Sequence, residues 1–188
     1  IPNGLPGHNE SIGYDYQPEK AKELLETYRK ESGVLQPTIT LTTTSNYLSF
    51  SEFIQRELQS IGLTIRIEVM PPSSLKSAKS NGKVDLFRAS WVADYPDAQN
   101  YLSLFYSGNF APNGPNYTHF KDAQFDKWYE EAMLETDQKK RINLYQKMDA
   151  LVLEKAPVVV LFYDEVIRFT GIDVKGLGIN PTNLLELK

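Results

Sequence analysis

Apolar and polar positions follow a helical period in three segments of the first half of the chain. Residues 18–32 place apolar side chains at helical spacing after Pro18 and stop before Gly33, which predicts a helix. Residues 45–60 show a similar apolar stripe and predict a second helix, and residues 73–80 predict a short third one.

Three other segments have the pattern of strands. Residues 37–43 and 63–70 alternate apolar and polar side chains, and residues 84–92 are mostly β-branched, aromatic or small, without proline. Helix and strand therefore alternate three times, which predicts parallel pairing through right-handed crossovers. The predicted fold class is α/β, with a mostly parallel sheet flanked by helices.

The second half of the chain contains more predicted helix than strand. A short helix is predicted over residues 97–107, and two longer ones over Phe125–Glu135 and Gln138–Lys155. Residues 157–163 form a continuous apolar run and predict a strand, and residues 166–170 predict another.

Composition excludes several classes of function. The chain has 188 residues, 41% of them hydrophobic and 12% aromatic, as expected of a globular protein. Its net charge is −4, with both signs interspersed, which argues against nucleic acid and anionic membranes as partners. No apolar run approaches the length that spans a membrane, so we expect no membrane insertion.

The residues that most enzymes need are missing or scattered. Cysteine is absent, and the two histidines, His8 and His119, lie in predicted loops without metal-ligand spacing. There is no phosphate-binding loop. Asp94 and Asp97 are three residues apart across a proline turn, which suits one ligand anchor and one helix cap better than a glycosidase pair. We therefore expect no enzyme activity, no cofactor and no metal.

Asp94 is the main candidate for ligand binding. It follows the predicted strand over residues 84–92 and has Trp91 and Tyr95 as aromatic neighbours. Ligands of open α/β sheets bind beyond the carboxyl ends of strands, and a partly desolvated carboxylate favours an ammonium or guanidinium partner. Two alternatives stay open: Asp94 caps the helix that begins near Asp97, or it pairs with an arginine of its own fold.

A loop rich in Gly, Asn and Pro spans Ser107–Phe120. Long loops without periodicity are often functional, so Asn113, Gly114, Asn116 and Tyr117 are candidates for ligand contacts at a cleft. Ordinary turn chemistry is the alternative explanation for each of them.

Five segments, in this order, resemble the extracytoplasmic solute-binding proteins of the oligopeptide- and dipeptide-binding family, which serve peptide ABC importers. The segments are PNGLPGHNESIGYDYQPEKAKELL, WVADYPDAQNYL, GPNYTHFKDAQFDKWYEEA, LYQKMDALVLEKAPVVVLFY and VKGLGINPTNLLEL. The resemblance implies a periplasmic-binding-protein-like lobe and extends over nearly the whole chain.

The resemblance also implies roles for individual residues. In the family, the aspartate that matches Asp94 binds the α-amino group of the peptide, and the arginine that matches Arg88 meets a ligand carboxylate in some members. Trp91 and Val92 match positions that line the pocket or offer main-chain partners, and the main chain near Val92 and Ala93 would pair with the peptide backbone.

Alternatives to these roles remain. Arg88 can form an internal salt bridge with Asp85 or Asp94, and Trp91 can simply pack in the core. Ala98 stands where many relatives have a second proline, a change that affects the stiffness of the loop more than its chemistry.

The function that the resemblance implies is that of the substrate-binding component of a peptide importer, located in the periplasm or at the cell surface. Its partners would be a peptide, held between two lobes, and a membrane permease, and we expect a monomer.

The start at Ile1, without methionine, suggests a fragment of a longer parent. We expect residues 1–17 to be an extended lead-in, residues 18–170 the ligand-binding lobe, and residues 171–188 a tail returning toward the missing lobe. We expect such a fragment to bind peptide weakly or undetectably.

Two alternative functions are considered. The same framework holds a nickel chelate, haem or sugar in some relatives. A protein-interaction module would instead use the aromatic loop over residues 105–120, and an exposed apolar patch there would favour it.

Overall fold

A computed structural model describes residues 1–163, 167 and 169–176 of the chain. The contacts divide the chain into two compact units. One unit is residues 14–90, and the other combines residues 1–13 with the chain from Trp91 onward.

The unit of residues 14–90 contains a parallel sheet of three strands. These are β1 (Thr38–Thr43), β2 (Thr64–Val69) and β3 (Leu86–Phe87), in the order β2-β1-β3. β1 pairs in parallel with both neighbours. Because a helix precedes each strand, these pairings confirm the α/β fold with a parallel sheet that the alternating pattern predicts.

Three helices belong to this unit: α1 (Pro18–Ser32), α2 (Leu48–Ser60) and α3 (Pro72–Ser80). All three lie where the apolar spacing predicts them, and a 3₁₀ turn over Ser45–Tyr47 precedes α2. Gly33 ends α1 with φ of 73°, a left-handed conformation that glycine adopts without steric cost.

The predicted strand over residues 84–92 is wrong in its length, because only Leu86–Phe87 pair with β1. The amide of Arg88 still donates to the carbonyl of Thr42 (3.3 Å), but β1 ends at Thr43 and offers no further partner. A parallel strand exists only where a neighbour supplies hydrogen bonds. Asp94 therefore lies seven residues after the last paired strand residue, not directly beyond a strand end.

The other unit is helical, with α4 (Gln99–Leu102), α5 (Ala123–Leu134) and α6 (Gln138–Lys155). Asp122 and Asp137 cap α5 and α6 by accepting hydrogen bonds from two amides each. One apolar cluster forms the core. Its buried members are Ala98, Leu102, Phe125, Tyr129, Ala132, Tyr145, Met148 and Val152.

Two predictions for this unit are wrong. The helix expected over residues 97–107 is only Gln99–Leu102, because the chain then tightens into turns such as Phe105 N–H to Leu102 O. The segment 157–163 forms no strand, and the side chains of residues 159–163 are about half exposed or more. No neighbouring strand within the described part of this unit pairs with it.

Some predictions concern residues outside the described part of the chain. The strand expected over residues 166–170 includes two such residues, 166 and 168. The tail expected over residues 171–188 is described only as far as Gly176.

Candidate functional site

Asp94 is exposed to solvent in the irregular segment that precedes α4. Its Oδ2 accepts one hydrogen bond, from Nδ2 of Asn100 at 3.4 Å. Within the described part of its unit the Asp94 carboxylate makes no salt bridge. The negative charge is therefore accessible and is not neutralised by a cation of the same unit.

Asp97 takes both of the alternative roles that the sequence left open for Asp94. Its Oδ1 accepts a hydrogen bond from the amide of Gln99 (2.8 Å) at the start of α4. Its Oδ2 pairs with the guanidinium of Arg141 on α6, 2.9 Å away. The cap and the arginine are therefore both assigned to Asp97, and among the described residues of this unit Asp94 has neither.

Asn100 connects Trp91 to Asp94. The indole Nε1 of Trp91 donates to Oδ1 of Asn100 at 2.7 Å, and the Asn100 amide nitrogen faces the Asp94 carboxylate. Asn100 is 4% exposed, so its side chain is enclosed and has few alternative partners. Trp91 therefore does not contact Asp94 through a hydrogen bond of its own. It donates to Asn100, and Asn100 in turn donates to the Asp94 carboxylate.

The main chain of residues 91–94 makes no hydrogen bond within the described part of its unit. The side chain of Val92 is 74% exposed, and that of Ala93 is 7% exposed. Because backbone amides and carbonyls need partners when they are covered, this segment can pair with the backbone of an extended ligand.

Tyr95 is held from one side by α4 and α5. Its hydroxyl donates to Oε1 of Gln99, and Nε2 of Gln99 donates to the hydroxyl of Tyr129. Tyr129 in turn stacks on Tyr106, with ring centroids 4.6 Å apart. These contacts hold the hydroxyl of Tyr95, the residue that follows Asp94 in the chain. Tyr95 is 45% exposed, so part of its side chain remains accessible to solvent.

Arg88 belongs to the unit of residues 14–90, whereas Asp94 belongs to the other unit. Its guanidinium lies over the ring of Tyr47, 3.6 Å from the centroid, and donates to the hydroxyl of Ser90 at 3.2 Å. Within the described part of its unit it forms no salt bridge, including none to Asp85. A guanidinium stacked on an aromatic ring keeps its N–H groups at the edge, where a carboxylate can bind.

The four loop candidates differ in what they do. Asn116 is fully buried, and its amide nitrogen donates to the carbonyls of Tyr106 and Phe120. A Cβ on Gly114 would clash with the main-chain carbonyl of Asn109, so the loop has no room for a side chain there. For these two residues the structure favours the alternative of turn chemistry.

The other two loop candidates, Asn113 and Tyr117, are more exposed to solvent than Asn116. Asn113 is exposed, and Tyr117 is half-buried with its amide donating to the carbonyl of Pro115. Contacts of Asn113 and Tyr117 with a ligand remain predictions.

The aromatic residues that bound the loop face inward. Phe105 and Phe120 make edge-to-face contacts with Phe125 at 6.3 and 5.8 Å between ring centroids. Phe125 itself is fully buried in the core. The exposed aromatic patch that would favour a protein-interaction module is therefore not formed by these rings.

The described residues contain no group of three or more His, Cys, Asp or Glu side chains placed to hold a metal ion. Within the same residues, no helix combines the length and the apolar character needed to span a bilayer.

Three contact partners of the candidate residues were missed by the sequence analysis: Tyr47, which contacts Arg88 in one unit, and Asn100 and Arg141, which contact Asp94 and Asp97 in the other. Arg141 is 44 residues away from Asp97, and Tyr47 is far from Arg88 along the chain. Only the tertiary fold brings such pairs together, and no local pattern signals them. Asn100 lies close to Asp94 in sequence but has no feature that marks it as a contact of Trp91.

Residues 1–113, more than half of the chain, match the model of the bacterial extracellular solute-binding proteins, family 5, middle region. The chain belongs to this family. Membership confirms the resemblance to peptide-binding solute-binding proteins that five segments of the sequence indicate.

Curated relatives of the family 5 chain are named as binding proteins. It is 26% identical to the dipeptide-binding protein DppE of Bacillus subtilis, over 97% of this chain and 36% of the relative. It is 29% identical to di/tripeptide-binding protein 4 of Pseudomonas aeruginosa, over 96% of this chain and 34% of that protein. The chain thus spans about a third of the length of the curated relatives that it matches.

Solved structures show the same fold for the family 5 chain. The periplasmic binding protein DppA of Helicobacter pylori, in complex with the peptide STSA, superposes with a TM-score of 0.73. It is 29% identical, over 84% of this chain and 31% of that one. HbpA2 of Haemophilus parasuis superposes with a TM-score of 0.75 over 85% of this chain and 32% of that one, and at 21% identity it supports the fold alone.

Proposed function

We propose that this chain is part of the substrate-binding component of a peptide importer of the ABC type, and that Asp94 binds the α-amino group of the peptide. The observation on which the proposal depends is the exposed Asp94 carboxylate, which has no salt bridge within the described part of its unit while neighbouring Asp97 pairs with Arg141. The names of the relatives, which are dipeptide- and di/tripeptide-binding proteins, support a peptide as the ligand.

Three further contacts belong to this proposal. The unpaired main chain near Val92 and Ala93 supplies hydrogen bonds to the peptide backbone, and Trp91 and Tyr95 form the aromatic surroundings of Asp94. Arg88, stacked on Tyr47, meets a ligand carboxylate. Backbone recognition suits peptides of varied sequence, because every peptide has the same main-chain groups.

The proposal extends to the setting in which the protein acts. Its partner is a membrane permease, its location is extracytoplasmic, and it is a monomer that binds without making or breaking a covalent bond. The named relatives are solute-binding proteins, and the family is described as extracellular. We also propose that residues 18–170 form the ligand-binding lobe and that residues 171–188 are a tail returning toward a second lobe.

Replacement of Asp94 by Asn tests the assigned role. Asp94→Asn keeps the shape of the side chain but removes its negative charge, so it should abolish binding of a peptide with a free amino group. Binding of the N-acetylated peptide, which has no ammonium group, should hardly change. Chemical-shift titration of the isotope-labelled chain measures both affinities, even where they are weak.

The same titration separates the proposed function from its nearest alternative. If Asp94→Asn weakens both peptides equally, or neither, Asp94 does not bind the peptide amino group. A chain that ignores both peptides but responds to a nickel chelate, haem or a sugar would have a different solute as its ligand.

A further inference from the structure

We infer that Asn100 is a positioning residue for Asp94, which it orients through a neutral amide while leaving the negative charge available to a ligand. This inference rests on the proposed function, because it concerns how the same carboxylate meets an ammonium group. It assigns Asn100 no contact with the ligand.

The orientation of the Asn100 amide follows from Trp91. An indole N–H can only donate a hydrogen bond, so the Asn100 atom 2.7 Å from it must be the acceptor oxygen. The amide nitrogen then faces Asp94 and offers it an N–H group. The flipped amide would set its NH₂ group against the indole N–H and its oxygen against the carboxylate, and both contacts are unfavourable. Trp91 therefore fixes the direction in which Asn100 donates.

Burial makes this arrangement rigid. Asn100 is 4% exposed and lies in α4, where Asp97 accepts a hydrogen bond from the amide of neighbouring Gln99. The main-chain carbonyl of Asn100 also accepts a hydrogen bond from the hydroxyl of Ser103 at 2.8 Å. A donor on a fixed helix restricts the rotation of an exposed carboxylate, which would otherwise sample several rotamers.

The neutrality of the donor distinguishes it from a cationic partner. A lysine or arginine beside Asp94 would neutralise the carboxylate and compete with a ligand ammonium. Arg141, the guanidinium on α6, is paired instead with Asp97. The Asn100 to Asp94 distance of 3.4 Å is longer than the usual N–H···O distance of about 2.9–3.0 Å, so the bond orients the carboxylate without holding it tightly.

The inference is tested by replacing Asn100 with Ala and titrating trialanine and N-acetyl-trialanine into the chain, followed by NMR. Loss of one orienting hydrogen bond should weaken binding of trialanine about 3- to 10-fold and leave that of the acetylated peptide within about 2-fold. Asn109→Ala is the matched control. It removes one side-chain hydrogen bond, to the carbonyl of Ser103, in the same unit but away from Trp91 and Asp94, and should leave both affinities unchanged.

A double variant separates positioning from general destabilisation. If Asn100 acts only through Asp94, Asn100→Ala should not weaken binding of N-acetyl-trialanine in a chain that already contains Asp94→Ala. A loss for the acetylated peptide in that background, or an equal loss for both peptides in the chain that retains Asp94, would show a purely structural role and overturn the inference.

One measurement needs neither a ligand nor a substitution at Asn100, and it applies even if Asn100→Ala does not fold. Asp94→Ala changes an exposed side chain and should shift the side-chain amide resonances of Asn100 but not those of Asn109. Unshifted Asn100 resonances would overturn the inference. Failure of the proposed function has a different signature: trialanine binding that Asp94→Ala does not weaken. That result would remove both claims.

Discussion

Asp94 and Asp97 differ in the groups that the fold places around each of them. Asp97 has the amide of Gln99 and the guanidinium of Arg141, whereas Asp94 has one neutral amide of Asn100. Two carboxylates only three residues apart in the chain therefore have different surroundings. Asp97 stabilises the start of α4, and Asp94 keeps its charge accessible to solvent.

The sequence could predict that one of the two aspartates caps a helix and the other does not. It could not predict the partners of either side chain. A carboxylate just before a predicted helix is a natural cap, and that expectation holds for Asp97. The partners Arg141 and Asn100 depend on how α6 and α4 pack, which no periodicity in the chain encodes. The aromatic neighbours of Asp94 were evident in the sequence, while the role of Trp91 as a donor to Asn100 was not.

Tyr145 provides a prediction at the scale of one residue. It is 2% exposed, and its hydroxyl makes no hydrogen bond among the described residues. A buried hydroxyl without a partner costs free energy, so Tyr145→Phe should leave the free energy of unfolding at pH 7 unchanged or raise it by about 1 kcal/mol. Tyr129→Phe is the comparison. The Tyr129 hydroxyl accepts a hydrogen bond from Gln99, and its loss should lower the free energy of unfolding by about 1 kcal/mol. Urea unfolding measures both.

The same tyrosine makes stability depend on pH in alkaline solution. Burial raises the pKa of the Tyr145 hydroxyl, the charge of Asp97 raises it further, and Arg141 opposes this. An unfolded tyrosine ionises near pH 10, so the stabilising contribution is complete below about pH 10 and is lost as the pH rises above it. Tyr145→Phe should lose less stability than wild type between about pH 9.5 and 11. Identical curves for the two proteins would contradict this prediction.

At the scale of elements, helices were easier to predict than strands. The starts and ends of α1 and α6 agree with the sequence to within a residue, because caps, prolines and apolar spacing lie within the helix itself. β3 and the apolar segment 157–163 were overestimated. A strand forms only where a neighbouring strand supplies hydrogen bonds. The composition of residues 84–92 and 157–163 does not reveal whether such a neighbour is present.

The cap of α5 gives a prediction at this scale. Asp122 accepts hydrogen bonds from the amides of Gln124 (2.8 Å) and Phe125 (3.0 Å), and Phe125 is the fully buried centre of the core cluster. Asp122→Ala should lower the free energy of unfolding by about 1 kcal/mol, as is typical for the loss of an N-cap. Asp122→Asn keeps an acceptor oxygen and should cost less. Thermal or urea unfolding compares the two, and equal losses would show that the cap does not act through its hydrogen bonds.

At the scale of the whole molecule, the sequence predicted the family and the α/β class correctly. Five segments in the family order were sufficient, because the order of motifs is a property of the whole chain and not of any local structure. The division into residues 14–90 and the remaining unit had no sequence signal, since it depends on which segments contact each other after folding. The placement of Arg88 in one unit and Asp94 in the other follows from that division.

The affinity of the chain for peptide is a prediction for the molecule as a whole. A hydrogen bond to a charged group contributes about 1.5–3 kcal/mol, and each main-chain hydrogen bond contributes about 0.5–1.5 kcal/mol. An ammonium contact with exposed Asp94 and a few bonds along residues 91–94 then give roughly 5 kcal/mol before the cost of association, which is about 4 kcal/mol or more. A dissociation constant of about 1 μM needs roughly 8 kcal/mol of net binding free energy. We therefore expect calorimetric titration of these 188 residues with a tripeptide to give an affinity much weaker than micromolar. A sub-micromolar value would mean that the chain encloses the ligand with many more contacts than the segment around Asp94 provides.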